Sequence, residues 1–393
     1  MAIVVGSGAG GATVAKELAA SGHRVLLIER GPEIAEEDAH RYYANVGTEV
    51  KLMRTFCLGG TTMVSGGNAL RCLEAELQAL GIDLSGEFAE AEHELGVQAL
   101  PDDLIGDGTR RLMDAAVRLG FQVRKMPKFI DPDACCRDGR CSLGCPVSAR
   151  WNAVRYVDAA RENGAVVMTG TTVDEVLTRH HRVSGVRCGT RVFSDDLVVI
   201  AAGALETPRL VSPLGIPTSP LFCDTFATIG GICPGIGFDR DVPMGAYLVH
   251  GGSLIMPHYS RQLVTLVAEA GYPASEQDIL AMMVKIRDED GGCVGETVEK
   301  AVTEQDARLI ASGAAVAGAI LLEAGVGPGT FVTAPLRGSH PGGTARIGIA
   351  VDTTLMTCIP GLYVTDASVL PAAPGAPPIL TIIALAKYAA KRM

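Results

Sequence analysis

Ile3-Val4-Val5-Gly6-Ser7-Gly8-Ala9-Gly10-Gly11-Ala12-Thr13 passes from an apolar run, through a glycine-rich turn, into a segment with helical spacing that extends to Ala20. Val25 to Ile28 is a second apolar run, closed by Glu29 and followed by Arg30. The order strand, turn, helix, strand, acid predicts a dinucleotide-binding unit. Gly6 permits the turn, Gly8 lets a pyrophosphate approach the backbone, and Gly11 lets the helix pack on the strand. The N-terminus of the helix, at Ala9 and Gly10, offers free N–H groups and partial positive charge to phosphates. Glu29 is placed to accept hydrogen bonds from a ribose 2′-OH, which favours an adenosine without a 2′-phosphate. The motif alone does not separate FAD from NAD.

The rest of the chain bounds what such a unit can serve. At 393 residues it has room for two domains, or for one with a large insertion. Hydrophobic residues make up 48% and charged residues 20%, so a large core is affordable and disorder is excluded. Net charge is −10 with no Lys/Arg block, and Trp151 is the single tryptophan, which argues against a nucleic-acid partner. The first strand begins at Ala2, leaving no room for a signal peptide, so the expected location is cytoplasmic. The apolar run Ile310 to Leu322 is too short to span a bilayer and reads as a packed core helix, so no transmembrane segment is expected.

Further along, Leu73 to Leu80 and Gly108 to Leu119 read as helices, and Val166 to Met168, Val183 to Arg187 and Leu197 to Ile200 as strands. Residues 217–335 are less patterned, apart from a helical stretch from Glu304 to Glu323. Leu362 to Val364 is a last strand, and Ile379 to Lys391 a helix behind a proline pair.

Three further blocks carry a family resemblance. The first is Gly59-Gly60-Thr61-Thr62 with Gly66-Gly67-Asn68, and the second Ala201-Ala202-Gly203-Ala204-Leu205-Glu206-Thr207-Pro208-Arg209-Leu210. The third is His340-Pro341-Gly342-Gly343-Thr344 with the ending Leu362 to Ala386. Together with the N-terminal turn they resemble the glucose–methanol–choline (GMC) oxidoreductases over about half the chain. The resemblance implies non-covalent FAD and oxidation of a CH–OH group on a small alcohol-type substrate. It also implies an α/β fold: a Rossmann-like FAD-binding domain with a smaller α+β substrate domain. The expected division is 1–75, 150–216 and 336–393 for the flavin, 76–149 as a helical and cysteine-rich insertion, and 217–335 for the substrate. Gly59 to Gly67 lacks bulk and can lie flat along a flavin. Asp366 can accept from ribityl hydroxyls, and the helix N-terminus at Pro378 and Ile379 can stabilise a reduced flavin. Asn68, Val173, Ala202 and Gly203 complete the expected cofactor set. The chain is shorter than most members, so the shortfall falls in the substrate domain, and an oligomer can complete the site.

The resemblance gives His340 the role of catalytic base, a task suited to a neutral imidazole near pH 7. Family members pair it with an Asn or His, and here Pro377 stands at that place. Asn68 and His250 are weak candidates to replace it. His250 and His258 flank turns that can line a pocket, though ordinary loop histidines fit them as well.

Eleven cysteines include four in Cys135-Cys136-Arg137-Asp138-Gly139-Arg140-Cys141-Ser142-Leu143-Gly144-Cys145-Pro146. With no secretory signal this crowding favours metal over disulfides, and a Cys-Pro ending is frequent in iron–sulfur loops. The spacing is similar to the cluster loop of bacterial FAD-dependent glucose, gluconate and fructose dehydrogenases. That likeness implies a 3Fe–4S centre on Cys135, Cys141 and Cys145, with Cys136 replacing Cys135 or adding a fourth ligand for a 4Fe–4S centre; Asp138 is a weaker ligand. Reduced cysteines in a structural loop are the plainer alternative. With a cluster, electrons would leave for an external acceptor or a partner electron-transfer protein. Without one, an oxygen-using oxidase or a flavin-bearing electron-transfer subunit is the competing class.

Overall fold

The computed structural model describes residues 1–47 and 49–393. Its N-terminal strand Ala2–Val5 is fully buried and lies third in a five-stranded parallel sheet. The order across that sheet is Leu362–Val364, Val198–Ile200, Ala2–Val5, Val25–Ile28, Val166–Met168, and every pairing is parallel. Strands covered on both faces read as unbroken apolar runs, and each of these is Val-, Ile- or Leu-rich. The helix Ala9–Ala20 covers one face, packed between the helices Val154–Glu162 and Ile379–Ala390. This is the expected Rossmann-like arrangement. Glycine is required where elements touch: a Cβ on Gly11 would sit 1.9 Å from the Gly6 carbonyl oxygen.

Behind it stands a nine-stranded sheet. Along its edge-to-edge path run Tyr43–Val46, Lys51–Thr55, Arg337–Gly338, Thr225–Ile232, Ile279–Ile286, Ser253–Pro257, Ala246–His250 and Arg124–Lys125, with Val332–Thr333 pairing off Thr225–Ile232. Most pairings are antiparallel. Tyr43–Val46, Lys51–Thr55 and Arg337–Gly338 join it from segments expected in the flavin domain. The region that looked unpatterned is its centre. Thr225–Ile232 and Ile279–Ile286 are buried along nearly their whole lengths, so neither shows the alternation that betrays a half-exposed strand.

The helix Glu304–Glu323 is long and apolar enough to cross a membrane by length and composition. Here it lies on the large sheet. Gly313 marks the contact, since a Cβ there would sit 2.3 Å from Val284 Cγ1. Ala317, Ile320 and Leu321 share a buried cluster with Met282 and Val284. The opposite face of the sheet looks back toward the parallel sheet across a cavity.

Candidate active site

One cavity of about 520 Å³ runs from the N-terminal turn to the inner face of the large sheet. Gly6, Gly8, Ala9, Gly10, Glu29, Arg30, Gly60, Thr61, Thr62, Asn68, Val173, Ala202, Gly203, Asp366, Pro378 and Ile379 all line it, as does His340. Three expected positions stand behind its wall instead. Gly11 seats the helix, while Gly59 (φ +87°) and Gly67 (φ +72°) set the turns of the second loop.

Side chains lock these loops together. Ser7 Oγ donates to Glu29 Oε2 at 2.6 Å and accepts from the Gly59 N–H at 2.9 Å, tying both glycine loops to the end of the second strand. Glu29 also accepts from the backbone of Ser7 and Gly31, which leaves lone-pair capacity toward the cavity. Asp366 accepts from Gly203 N–H, Thr207 Oγ1 and Ser368 N–H, fixing its carboxylate at the end of its strand.

The residues present fit a dinucleotide. Gly8 has an ordinary φ of −66°, and a Cβ there would meet nothing within 4 Å. Neither backbone strain nor packing calls for glycine, so what fills the cavity does. Arg54 and Thr55 line this wall, and Arg54 Nε and Thr55 Oγ1 are buried without a hydrogen-bond partner among the described residues.

His340 is placed by a β-bridge. Phe222 and Gly342 exchange backbone hydrogen bonds at 3.3 and 3.0 Å, and the His340 N–H donates to the Cys223 carbonyl at 3.1 Å. Gly342 and Gly343 must lack side chains here, since a Cβ on either would sit 2.5 or 2.4 Å from the Phe222 ring. The bridge sets His340 Nδ1 2.9 Å from Asp224 Oδ2. Asp224 is fully buried, adopts φ +50°, and takes the Gly375 N–H on its other oxygen at 2.8 Å. A non-glycine residue in this backbone region costs roughly 1–3 kcal/mol and persists where surroundings enforce it. Burial, with Lys285 nearby, holds the His340 imidazole well below its ordinary value, so it is neutral at pH 7. Burial and the neighbouring Asp288 push the Asp224 carboxyl up, while Lys285 draws it down. In the tautomer that donates Nδ1–H to Asp224, Nε2 is left as the proton acceptor.

The inner face of the large sheet supplies the opposite wall. Phe226 pairs with Lys285 and Thr228 with Met283, so the two-residue period of each strand sends Phe226, Met283 and Lys285 into the cavity. Met53, Met244 and His258 join them. His258 Nδ1 lies 3.2 Å from Thr228 Oγ1, and burial, Lys285 and Arg337 bring its pKa down to about 4. His250, paired with His258 in the sequence reading, is exposed and rests edge-on against Phe121 away from the cavity. Asn68 does reach it, held by Lys128 Nζ at 2.6 Å on Oδ1. Pro377 lines it too. Asp224 and Lys285 were not singled out from sequence. The available signal was a lone lysine in the otherwise apolar run ILAMMVKI.

The cysteine loop does not form the expected ligand set. No group of three or more His, Cys, Asp or Glu side chains able to hold a metal occurs among the described residues. Cys141 and Cys145 are buried, Cys135 is half-buried and Cys136 points to solvent. Cys145 Sγ accepts from the Ala149 N–H at 3.3 Å, and burial pushes the Cys141 thiol up to about 11. The loop's glycines serve packing against neighbours: a Cβ on Gly139 would sit 2.1 Å from the Asp239 carbonyl, and one on Gly144 2.0 Å from that of Glu36. The loop's contact with the cavity is Ser142, whose carbonyl accepts from Tyr43 Oη at 2.8 Å.

Comparison with known proteins agrees with this geometry. The N-terminal GMC oxidoreductase family pattern matches residues 2–237, and the C-terminal one residues 296–386. An uncharacterized protein of Methanocaldococcus jannaschii is 32% identical over 389 residues, covering 98% of this chain and 97% of that one. A long-chain-alcohol oxidase of Arabidopsis thaliana is 25% identical over 255 residues, 56% of this chain and 34% of its own. Among solved structures, pyridoxine 4-oxidase from Mesorbium loti superposes with a TM-score of 0.77 at 18% identity, covering 99% of this chain and 98% of that one.

Proposed function

Since the chain belongs to the GMC oxidoreductase family and its cofactor is FAD, we propose that it oxidises the CH–OH carbon of a small alcohol-type substrate. The observation that carries this reading is His340, neutral, backed by Asp224, and facing the same cavity as the cofactor cradle. FAD, when bound, accepts the hydride.

His340 Nε2 takes the hydroxyl proton, because a carbonyl left protonated at oxygen is too high in energy. Asp224 keeps the imidazole in the tautomer that leaves Nε2 free, and steadies the ring once protonated. The wall of Met53, Met244, Met283 and Phe226 surrounds the reacting carbon with apolar surface and excludes water. Among the described residues the cysteines of the loop do not come together as a ligand set, and no electron step is routed through them. Relatives and solved neighbours named as oxidases favour dioxygen as the final acceptor over a partner protein.

Anaerobic titration of purified protein with a panel of alcohols and sugars tests the reading. A bound flavin that bleaches with at least one of them supports it, and one that bleaches with none overturns it. Admitting air then separates the acceptors: peroxide formed in step with substrate identifies an oxidase, and its absence a dehydrogenase.

A further inference from the structure

Lys285 is the one residue of Ile279–Ile286 that is not apolar, and it is 1% exposed. It lines the cavity beside Ser339 and His340. Two of its three N–H protons have acceptors, the Asp224 carbonyl at 3.3 Å and Ser339 Oγ at 3.0 Å. The third has no acceptor among the described residues, and Nζ lies 4.9 Å from the centre of the Phe226 ring. A buried ammonium with an unused proton is an expensive arrangement unless something in the cavity accepts from it. Pro377, where the resemblance places a second polar side chain, has no side-chain donor or acceptor.

We propose that Lys285 is the second catalytic group of this site: its ammonium donates a hydrogen bond to the substrate hydroxyl oxygen while His340 removes that oxygen's proton. The assignment rests on the CH–OH reading and deepens it. In the step, the O–H bond breaks and its proton goes to His340 Nε2. The C–H bond breaks with its electron pair leaving as hydride to FAD, the oxidant. The pair left on oxygen closes the C=O bond, and Lys285 keeps all its protons. A cation beside that oxygen stabilises the negative charge that builds there before hydride departs. The same cation discourages protonation of His340. The other charged and titratable groups around the pair are Asp224, Asp288 and Arg287 behind them, Cys223 beside Asp224, and His258 with Arg337 across the cavity.

Calorimetry of the FAD-loaded protein with acetate and with its neutral isostere acetamide tests for a donor cation open to the cavity. The unsubstituted protein binds acetate roughly tenfold more tightly, Lys285→Met loses that preference, and Lys285→Arg keeps it. In stopped-flow reduction by the best alcohol of the panel, Lys285→Met is slower by roughly tenfold or more with FAD still bound. The acid limb of its pH profile moves to higher pH, because removing a cation makes His340 easier to protonate; Lys285→Arg recovers most of both changes. A folded, yellow Lys285→Met with unchanged acetate preference, reduction rate and pH profile overturns the assignment. If Lys285→Met does not fold, the unsubstituted protein still decides, since equal affinity for acetate and acetamide overturns it. A flavin that no alcohol bleaches overturns the CH–OH reading as well; one that bleaches at an unchanged rate in Lys285→Met overturns only this one.

Discussion

The cofactor cradle and the substrate wall face each other across one cavity, yet they are built on different principles. The cradle is made of backbone. Its glycines exist because a Cβ would collide with the Thr365 or Ala201 carbonyl, or with what the cavity holds. The wall is made of side chains brought together by strand register. Phe226 meets Lys285, and Asp224 meets His340, across 59 and 116 residues of chain. A backbone site tolerates no substitution and many neighbours, while a side-chain site tolerates many folds and few substitutions.

Glycine substitutions break the cradle in two distinguishable ways and give the largest effect. In Gly10→Val the new Cβ would sit 1.8 Å from the Thr365 carbonyl oxygen, so helix and strand cannot pack and the protein should be insoluble. In Gly8→Val the Cβ meets no protein atom, so the chain should fold but purify with less than roughly a tenth of an equivalent of FAD. Flavin absorbance and far-ultraviolet circular dichroism on both proteins separate the outcomes. A yellow Gly8→Val would mean that the cofactor does not lie along this turn.

On the wall, His340→Ala should leave FAD in place and slow anaerobic flavin reduction by roughly 10²–10⁴-fold, the range for a lost general base. An unchanged rate would move the base elsewhere, with His258 the next candidate in the cavity. Since burial lowers the pKa of His340, the base is already neutral through the physiological range. The wild-type rate should therefore show no acid limb through the ordinary histidine range, staying flat near neutral pH and falling only at lower pH on the acid side. A limb centred at or above the ordinary histidine value would show that the imidazole is not desolvated as the geometry requires.

Asp224→Asn tests the link between the two regions at smaller cost. It replaces a carboxylate that accepts the His340 Nδ1–H and the Gly375 N–H with an amide able to keep one such contact. Losing a hydrogen bond in this buried pair costs about 1–3 kcal/mol, or roughly fivefold to a hundredfold in rate. The expected signature is a lowered reduction rate with substrate affinity unchanged. A loss of affinity alone would make Asp224 a binding residue.

What was legible in the sequence follows the same division. The parallel sheet, the first loop and most of the positions that line the cavity announce themselves because glycines, turns and apolar runs are local features. His340 was found through its block, not through its surroundings. Asp224 and Lys285 were passed over because nothing near them in sequence tells that two buried strands will align them. Those strands, apolar on both faces, also gave no alternation to read. The cysteine loop was the reverse case. Its spacing is compatible with metal ligation, but no group of three or more ligands assembles among the described residues, and a spacing cannot show which thiols converge.

Pro377→Ala should have the smallest effect, and it bears on which region supplies the second polar group. Pro377 lines the cavity and its carbonyl lies 4.0 Å from Cys72 Sγ, a contact alanine keeps. Pro378 follows and caps the helix Ile379–Ala390, whose fully buried Leu380 and Thr381 anchor it in the core. Only chain stiffness changes, worth about 0.4–1 kcal/mol in the unfolded state. Flavin reduction should then shift by less than roughly threefold, with a melting temperature lower by a few degrees. A drop of roughly tenfold or more would place the helix N-terminus, rather than the sheet wall with Lys285, closest to the reacting oxygen. The division between a backbone cradle and a side-chain wall would then fail at the point where the chemistry takes place.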